Sequence, residues 1–82
     1  MRNNIDIESA IREIFQIVFQ KDEKEINQLR YGIYPWDSLA HMNIVTSIEE
    51  EFEVFLKEED ILELISLEMA IEIIKEYQVK LP

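Results

Sequence analysis

The chain passes from a loop into a helix at Tyr34-Pro35-Trp36-Asp37-Ser38-Leu39-Ala40-His41-Met42. Pro35 and Asp37 are typical of turns and helix caps, and from Leu39 onward the apolar side chains recur at helical spacing. This pattern puts the Ser38 hydroxyl at the junction of a turn and a helix. A serine there is expected to be exposed, beside free N–H groups and the positive end of the helix dipole, which suit a phosphate.

The tripeptide Asp37-Ser38-Leu39 is also a common way to begin a helix with no further function. Both the aspartate and the serine side chain can accept a hydrogen bond from an N–H group of the first turn. The tripeptide alone therefore leaves a plain capping role open, and its interpretation depends on the rest of the chain.

Length and composition exclude several classes of protein. The 82 residues predict a single domain, residues 1–82, with a modest core. The absence of cysteine and the single histidine exclude disulfides, thiolate metal sites and a histidine metal cluster. No calcium-binding Asp-x-Asp-x-Asp-Gly loop occurs. No apolar run resembles a signal peptide or a membrane span, so a cytoplasmic location and no membrane contact are expected.

The charge is strongly negative and unevenly distributed. The formal net charge is −10, and residues 37–82 hold twelve acidic residues against three basic ones. Residues 1–36 are nearly balanced, with six acidic and five basic residues. Nucleic acid is therefore not expected as a partner, because it requires a basic face. A partner protein with a basic patch suits this charge, although a solvated surface would explain it equally well.

The spacing of apolar residues predicts an all-α fold. We expect helices at about residues 6–20, 38–52, 58–64 and 66–77, the last capped by Ser66, and a frayed tail over residues 79–82. A long loop, residues 21–36, joins the first two helices and has a helical turn near residues 23–29. Loops of this length are often functional. Trp36 and Tyr34 are expected to pin it to the core.

These features together resemble the acyl carrier protein family, in which the serine of an Asp-Ser-Leu motif carries 4'-phosphopantetheine. The resemblance covers almost the whole chain. Besides Asp37-Ser38-Leu39, the matching positions are the apolar residues Ile44, Val45, Ile48 and Phe52, the acidic run Glu49-Glu50-Glu51, the pair Val54 and Leu56, the acidic stretch Glu58-Glu59-Asp60, and the apolar frame of residues 65–74.

The resemblance implies a four-helix acyl-carrier-like bundle with a long first loop and a short third helix. The protein would be a discrete carrier rather than an enzyme. Ser38 would be the attachment site of the phosphopantetheine cofactor, with Asp37 and Leu39 beside it in the motif. A phosphopantetheinyl transferase would attach the arm, and acyl-loading ligases or synthases with basic docking patches would be further partners of a monomeric carrier.

The pathway is less closely defined. The family often has Leu-Gly-Ala just before the motif, whereas this chain has Tyr34-Pro35-Trp36. A tryptophan directly before the motif looks more like the discrete carriers of specialised acyl or polyketide-type pathways than like the fatty acid carrier. Ala40, His41 and Asn43 make the surface near Ser38 less acidic than in fatty acid carriers. Two alternatives stay open: an aminoacyl or peptidyl carrier, and an unmodified acidic helical interaction module.

The expected partner surface contains an acidic part and an apolar part. Its residues are Leu39, Met42, Glu49, Glu50, Glu51, Glu58 and Glu59. The run of residues 49–51 lies at the negative end of the second helix dipole, where an exposed carboxylate costs about 0.3–1 kcal/mol. No lysine or arginine lies three or four residues away to offset it. Charges placed against local stability indicate a docking role, with improved solubility as the alternative. Met42 would contact partners or the arm, or else be a partly buried core residue.

Asp37, Ser38 and His41 lie within one helical turn and invite comparison with a hydrolase triad. A triad also needs a base held against the nucleophile, an oxyanion hole and a substrate cleft. One exposed helical turn in a small bundle provides no cleft. We therefore expect no catalytic residues and no hydrolysis of esters by the unmodified protein.

Overall fold

The computed structural model describes residues 7–80, with side chains up to Gln78, and this part of the chain is helical, without a strand. The helices are α1 Ile7–Phe19, a 3₁₀ helix Glu25–Gln28, α2 Ser38–Phe52, α3 Glu58–Glu63 and α4 Leu67–Lys80. The all-α prediction is confirmed, including the long first loop with its helical turn. The prediction that the tail frays from residue 79 is wrong for Val79 and Lys80, because both belong to α4. Residues 1–6 and 81–82 lie outside the described part of the chain.

Helix α1 forms the centre of the core because one apolar face contacts both α2 and α4. The buried residues of that face are Ile7, Ala10, Ile11, Phe15 and Phe19. They recur at three- and four-residue steps, which gives a continuous stripe on a helix. The predicted inward residues of α2 and α4 meet this stripe, and Ile73, expected at the edge of α4, is also buried.

The long loop is pinned to the core by Trp36, as predicted. Its ring is fully buried and packs edge-on against Phe15, with centroids 5.3 Å apart. The prediction that Tyr34 is a second pin is wrong, since its side chain is 93% exposed. The Trp36 N–H donates to the carbonyl of Ile33, and the Gly32 N–H to that of Trp36. This tight turn directs Trp36 inward and leaves Tyr34 at its tip.

A buried histidine connects the end of the loop to α2 and α3. Trp36 Nε1–H donates to Nδ1 of His41 at 3.1 Å, and Nε2 of His41 lies 2.9 Å from the carbonyl oxygen of Ile61. Since Nδ1 accepts, the proton of the neutral ring is assigned to Nε2, which donates to Ile61. The end of the long loop, α2 and α3 thus share one hydrogen-bonded chain.

Helix α3 is held by polar contacts as much as by apolar burial. None of its residues is fully buried. The Tyr77 hydroxyl of α4 accepts from the N–H of Lys57 at 2.8 Å and donates to Oδ2 of Asp60 at 2.6 Å. Burial, followed by the hydrogen bond to Asp60, raises the pKa of Tyr77 above its ordinary value of 10.0. One hydroxyl therefore ties both the start and the middle of α3 to α4.

The Trp36–His41 hydrogen bond predicts a coupled effect on stability. His41→Leu leaves the buried Trp36 N–H without an acceptor, and we expect it to lower the free energy of unfolding by about 1–3 kcal/mol. In the double variant with His41→Leu and Trp36→Phe, the loss of free energy of unfolding should be smaller than the sum of the two single losses. The reason is that the double variant has no indole N–H left to be unpaired. Urea unfolding of the four proteins measures this. The exposed Asn43→Leu is the control, and additive losses would contradict the contact.

The raised pKa of Tyr77 predicts a loss of stability in alkali. The folded state holds the phenolic proton more tightly than the unfolded state, so the stabilisation is complete below pH 10.0 and is lost as the pH rises through the folded-state pKa. The advantage of the wild type over Tyr77→Phe in free energy of unfolding should therefore shrink above this pH. Urea unfolding at a series of pH values measures it; a constant difference would show that folding does not raise the pKa of Tyr77.

Candidate functional site

The start of α2 is built by Asp37, which is the N-cap residue. Its backbone is extended, with φ −95° and ψ −173°, and its Oδ1 accepts the N–H of Ala40 at 2.9 Å. Its carbonyl oxygen accepts the N–H of His41 at 2.9 Å, which closes the first turn. Asp37 therefore supplies both the side-chain acceptor for a first-turn N–H group and the first carbonyl acceptor of the helix.

Ser38 is the first residue of α2, and its side chain is exposed. Within residues 7–80 its hydroxyl makes no hydrogen bond, since Asp37 already supplies the capping acceptor. A capping serine would direct its oxygen back at an N–H group of the first turn. The Ser38 hydroxyl instead has no role in holding the helix and is accessible from solvent.

The arrangement of Asp37, Ser38 and His41 is not that of a hydrolase triad. Both ring nitrogens of His41 are engaged, one with Trp36 and the other with Ile61. The ring is also buried, whereas Ser38 is exposed. No nitrogen of His41 is therefore available to accept a proton from the Ser38 hydroxyl.

Sequence reasoning missed the structural role of His41, although a signal was present. It precedes Ile44, Val45 and Ile48 by three, four and seven residues, so it lies on the buried stripe of α2. A polar residue on a buried stripe must find hydrogen-bond partners inside the protein. The indole N–H of Trp36, five residues earlier, is the donor that this rule requires.

The residues that follow Ser38 in α2 carry no formal charge over the first three turns, and two of them are exposed apolar side chains. Leu39 is 72% exposed and Met42 54% exposed, so neither is a core residue. No Asp, Glu, Lys or Arg occurs in residues 38–48. The first three turns of α2 therefore present a surface without formal charge beside the serine, apart from the capping carboxylate of Asp37.

The predicted acidic residues divide into two groups. Glu50, Glu58 and Glu59 are exposed, whereas Glu49 and Glu51 are half-buried. Oε2 of Glu49 accepts the N–H of Leu56 at 3.0 Å and so holds the link between α2 and α3. The inference that the Glu49 carboxylate only destabilises the end of α2 is thus wrong, because this hydrogen bond gives the carboxylate a role in the fold.

Comparison with protein-family models, with curated proteins and with solved structures found no match to this chain. Over residues 7–80 no helix combines the length and apolar character that a membrane span requires. The same residues include no group of three His, Asp or Glu side chains that could hold a metal ion.

Because Asp37 and not Ser38 caps α2, substitutions at these two positions should differ in their effect on the free energy of unfolding. Asp37→Ala removes the acceptor for the Ala40 N–H, and we expect it to lower the free energy of unfolding by about 1 kcal/mol. Ser38→Ala removes an exposed hydroxyl that makes no hydrogen bond among residues 7–80, and it should change the free energy of unfolding by less than about 0.5 kcal/mol. Urea unfolding measures both. A larger loss for Ser38→Ala than for Asp37→Ala would mean that the serine is the cap.

Proposed function

We propose that this protein is a discrete acyl carrier protein whose Ser38 receives a 4'-phosphopantetheine arm. The observation that carries the proposal is that Asp37 caps α2 alone, while the Ser38 hydroxyl is exposed and without a hydrogen bond in the described residues. A hydroxyl that the fold does not use is available to another enzyme. The order of elements, with the long first loop and the short α3, is the one expected of an acyl-carrier-like bundle.

The attachment chemistry requires an accessible hydroxyl rather than a catalytic site on this chain. A magnesium-dependent phosphopantetheinyl transferase would direct Ser38 Oγ at the phosphorus of coenzyme A that bears pantetheine. An Oγ–P bond forms, the bond to adenosine bisphosphate breaks, and a base of the transferase takes the hydroxyl proton. The positive dipole end of α2 and the lack of an acidic residue in its first turn favour the resulting phosphodiester, whereas the capping carboxylate of Asp37 lies next to it in sequence.

In this proposal the chain is a carrier and not an enzyme. The attached arm supplies a terminal thiol that holds an acyl group as a thioester. The protein's own contribution is to present Ser38 at a helix start fixed by the Asp37 cap and by the burial of Trp36. Leu39, which follows the serine, and Met42 are exposed apolar residues available to the enzymes that act on the arm.

The charge distribution supports partners with basic docking patches. Exposed Glu50, Glu58 and Glu59 lie at the end of α2 and the start of α3, within a half of the chain that carries most of the negative charge. Such a field steers a basic partner towards one side of the protein. We propose acyl-loading ligases or synthases of this kind, acting with a monomeric cytoplasmic carrier in a specialised acyl or polyketide-type pathway or in fatty acid synthesis.

The proposal predicts a modification that depends on one residue. Incubation with coenzyme A, magnesium and a broad-specificity phosphopantetheinyl transferase should add the mass of one phosphopantetheine to the wild type. Ser38→Ala should abolish the gain, because the accepting oxygen is lost, while Ser9→Ala, an exposed serine on α1, should leave it unchanged. Intact-protein mass spectrometry measures each.

The outcomes separate the alternatives. Modification of Ser38→Ala at another residue would refute the assignment, and failure of the wild type to be modified would favour an unmodified acidic interaction module. The mass of the group carried by the native protein distinguishes an acyl carrier from an aminoacyl or peptidyl carrier.

A further inference from the structure

One buried hydrogen bond joins the single histidine of the chain to its single tryptophan. The His41 side chain is buried, and Trp36 is fully buried. The Nε1–H group of Trp36 donates to Nδ1 of His41 at 3.1 Å, so this ring nitrogen is the acceptor. A ring nitrogen that accepts a hydrogen bond carries no proton. The contact between the two side chains therefore requires a neutral imidazole.

The second ring nitrogen of His41 has a partner that can only accept. Nε2 lies 2.9 Å from the carbonyl oxygen of Ile61, so the two nitrogens cannot exchange their roles without losing this bond. A protonated imidazole carries hydrogen on both nitrogens. It would keep the bond to Ile61 but would point an N–H group at the N–H group of Trp36. Protonation at Nδ1 therefore breaks the bond to Trp36 and leaves a buried donor unpaired.

The titratable groups of the segments that hold the imidazole compensate little for a positive charge on it. In the loop, the Tyr31 ring contacts the imidazole with centroids 4.5 Å apart, but Tyr31 is 41% exposed, and cation–π contacts at exposed sites are weak. On α2, the carboxylate of Asp37 is engaged in capping the helix. On α3, the carboxylate of Asp60, next to Ile61 in sequence, accepts the hydroxyl of Tyr77. Within residues 7–80, no hydrogen bond or ion pair joins the imidazole to a charged side chain.

The indole that loses its acceptor on protonation also anchors the long loop. Its ring packs against Phe15 and Phe19 of α1, with centroids 5.3 Å and 5.5 Å away, and neither of these side chains brings a charge to the pair. The backbone carbonyl of Trp36 accepts the N–H of Gly32 at 2.9 Å and closes the turn before α2. Asp37, the N-cap of α2, follows Trp36 directly. Loss of the bond to the imidazole therefore loosens the end of the loop and the start of α2 together.

We propose that Trp36 and His41 form a proton-sensitive latch. The neutral imidazole holds the end of the long loop on α2 and α3, and uptake of one proton from solvent at Nδ1 releases it. Histidine is the side chain that ordinarily changes its charge between about pH 5 and 8, so the latch responds to mild acid. This inference does not depend on the proposed carrier function, because it concerns only how the chain holds its own segments together.

The direction of the pH effect follows from the proton balance. The unfolded chain takes up a proton on its histidine below about pH 6.5 without losing any contact. The folded chain takes up the same proton only by breaking the bond between Trp36 and His41. The unfolded state therefore binds more protons in mild acid, and the stabilisation by the latch, complete above about pH 6.5, is lost as the pH falls.

The first test follows one nuclear magnetic resonance signal from each ring of the wild type, since the chain has one histidine and one tryptophan. The carbon-bound protons of the imidazole report its charge, and the indole N–H proton reports its hydrogen bond. Between about pH 7.5 and pH 5, the indole N–H signal should move upfield with the same midpoint as the imidazole signals, because one event changes both. This measurement needs no variant.

The second test compares urea unfolding of the wild type and His41→Gln over the same range of pH. An amide has an acceptor oxygen beside a donor NH₂ group, as a neutral imidazole has an acceptor beside a donor, but it does not titrate. The unfolding equilibrium constant of the wild type, divided by that of His41→Gln, should rise by about tenfold from about pH 7.5 to pH 5.5. The ratio cancels the titration of the acidic residues, which both proteins share.

A matched control moves the histidine from the buried to the exposed side of α2. His41→Gln with Asn43→His restores the number of histidines, and position 43 is exposed. An exposed imidazole gains a proton in the folded and the unfolded chain alike, so this double variant should keep the pH dependence of His41→Gln.

Two results would overturn the latch. In the first, the imidazole signals titrate while the indole N–H signal stays in place, which means that His41 gains its proton without releasing Trp36. In the second, the ratio of unfolding constants stays level or falls as the pH is lowered, which means that the folded chain accommodates the charged imidazole as well as the unfolded chain does.

Discussion

The buried hydrogen bond from Trp36 Nε1 to His41 Nδ1 is the constraint on which the site depends. A buried indole N–H requires an acceptor, and His41 provides it while its other nitrogen contacts the carbonyl of Ile61. The end of the long loop, the start of α2 and α3 are thereby held together. Ser38 lies between the two rings in sequence, so its backbone is held from both sides although its hydroxyl makes no hydrogen bond to any residue in the described part of the chain.

The helix start places the capping residue and the proposed modification site at neighbouring positions. Asp37 caps the helix, and the Ser38 hydroxyl makes no hydrogen bond within the residues that the structure describes. This separation matters because a residue that is both a cap and a modification site would alter the helix on modification. A carrier needs the same fold before and after the arm is attached, and an exposed hydroxyl beside a separate cap meets that need.

In the proposed carrier function, the surface around α2 would offer two kinds of contact to a partner. The exposed carboxylates of Glu50, Glu58 and Glu59 would act over distance and weaken with salt. The exposed side chains of Leu39 and Met42, which are close to Ser38 in sequence, would act only on contact. Specificity in such a carrier would be determined by the residues closest to the serine.

The sequence by itself determined the all-α class, the bounds of α2 and the exposure of Ser38, because apolar periodicity and capping are local properties. The tertiary structure alone decided the roles of His41, Glu49 and Tyr34. Each depends on a partner or a turn geometry that the local pattern does not specify: the indole of Trp36 for His41, the N–H of Leu56 for Glu49, and the turn that exposes Tyr34. A buried polar group must be paired, but only the packed chain determines with what.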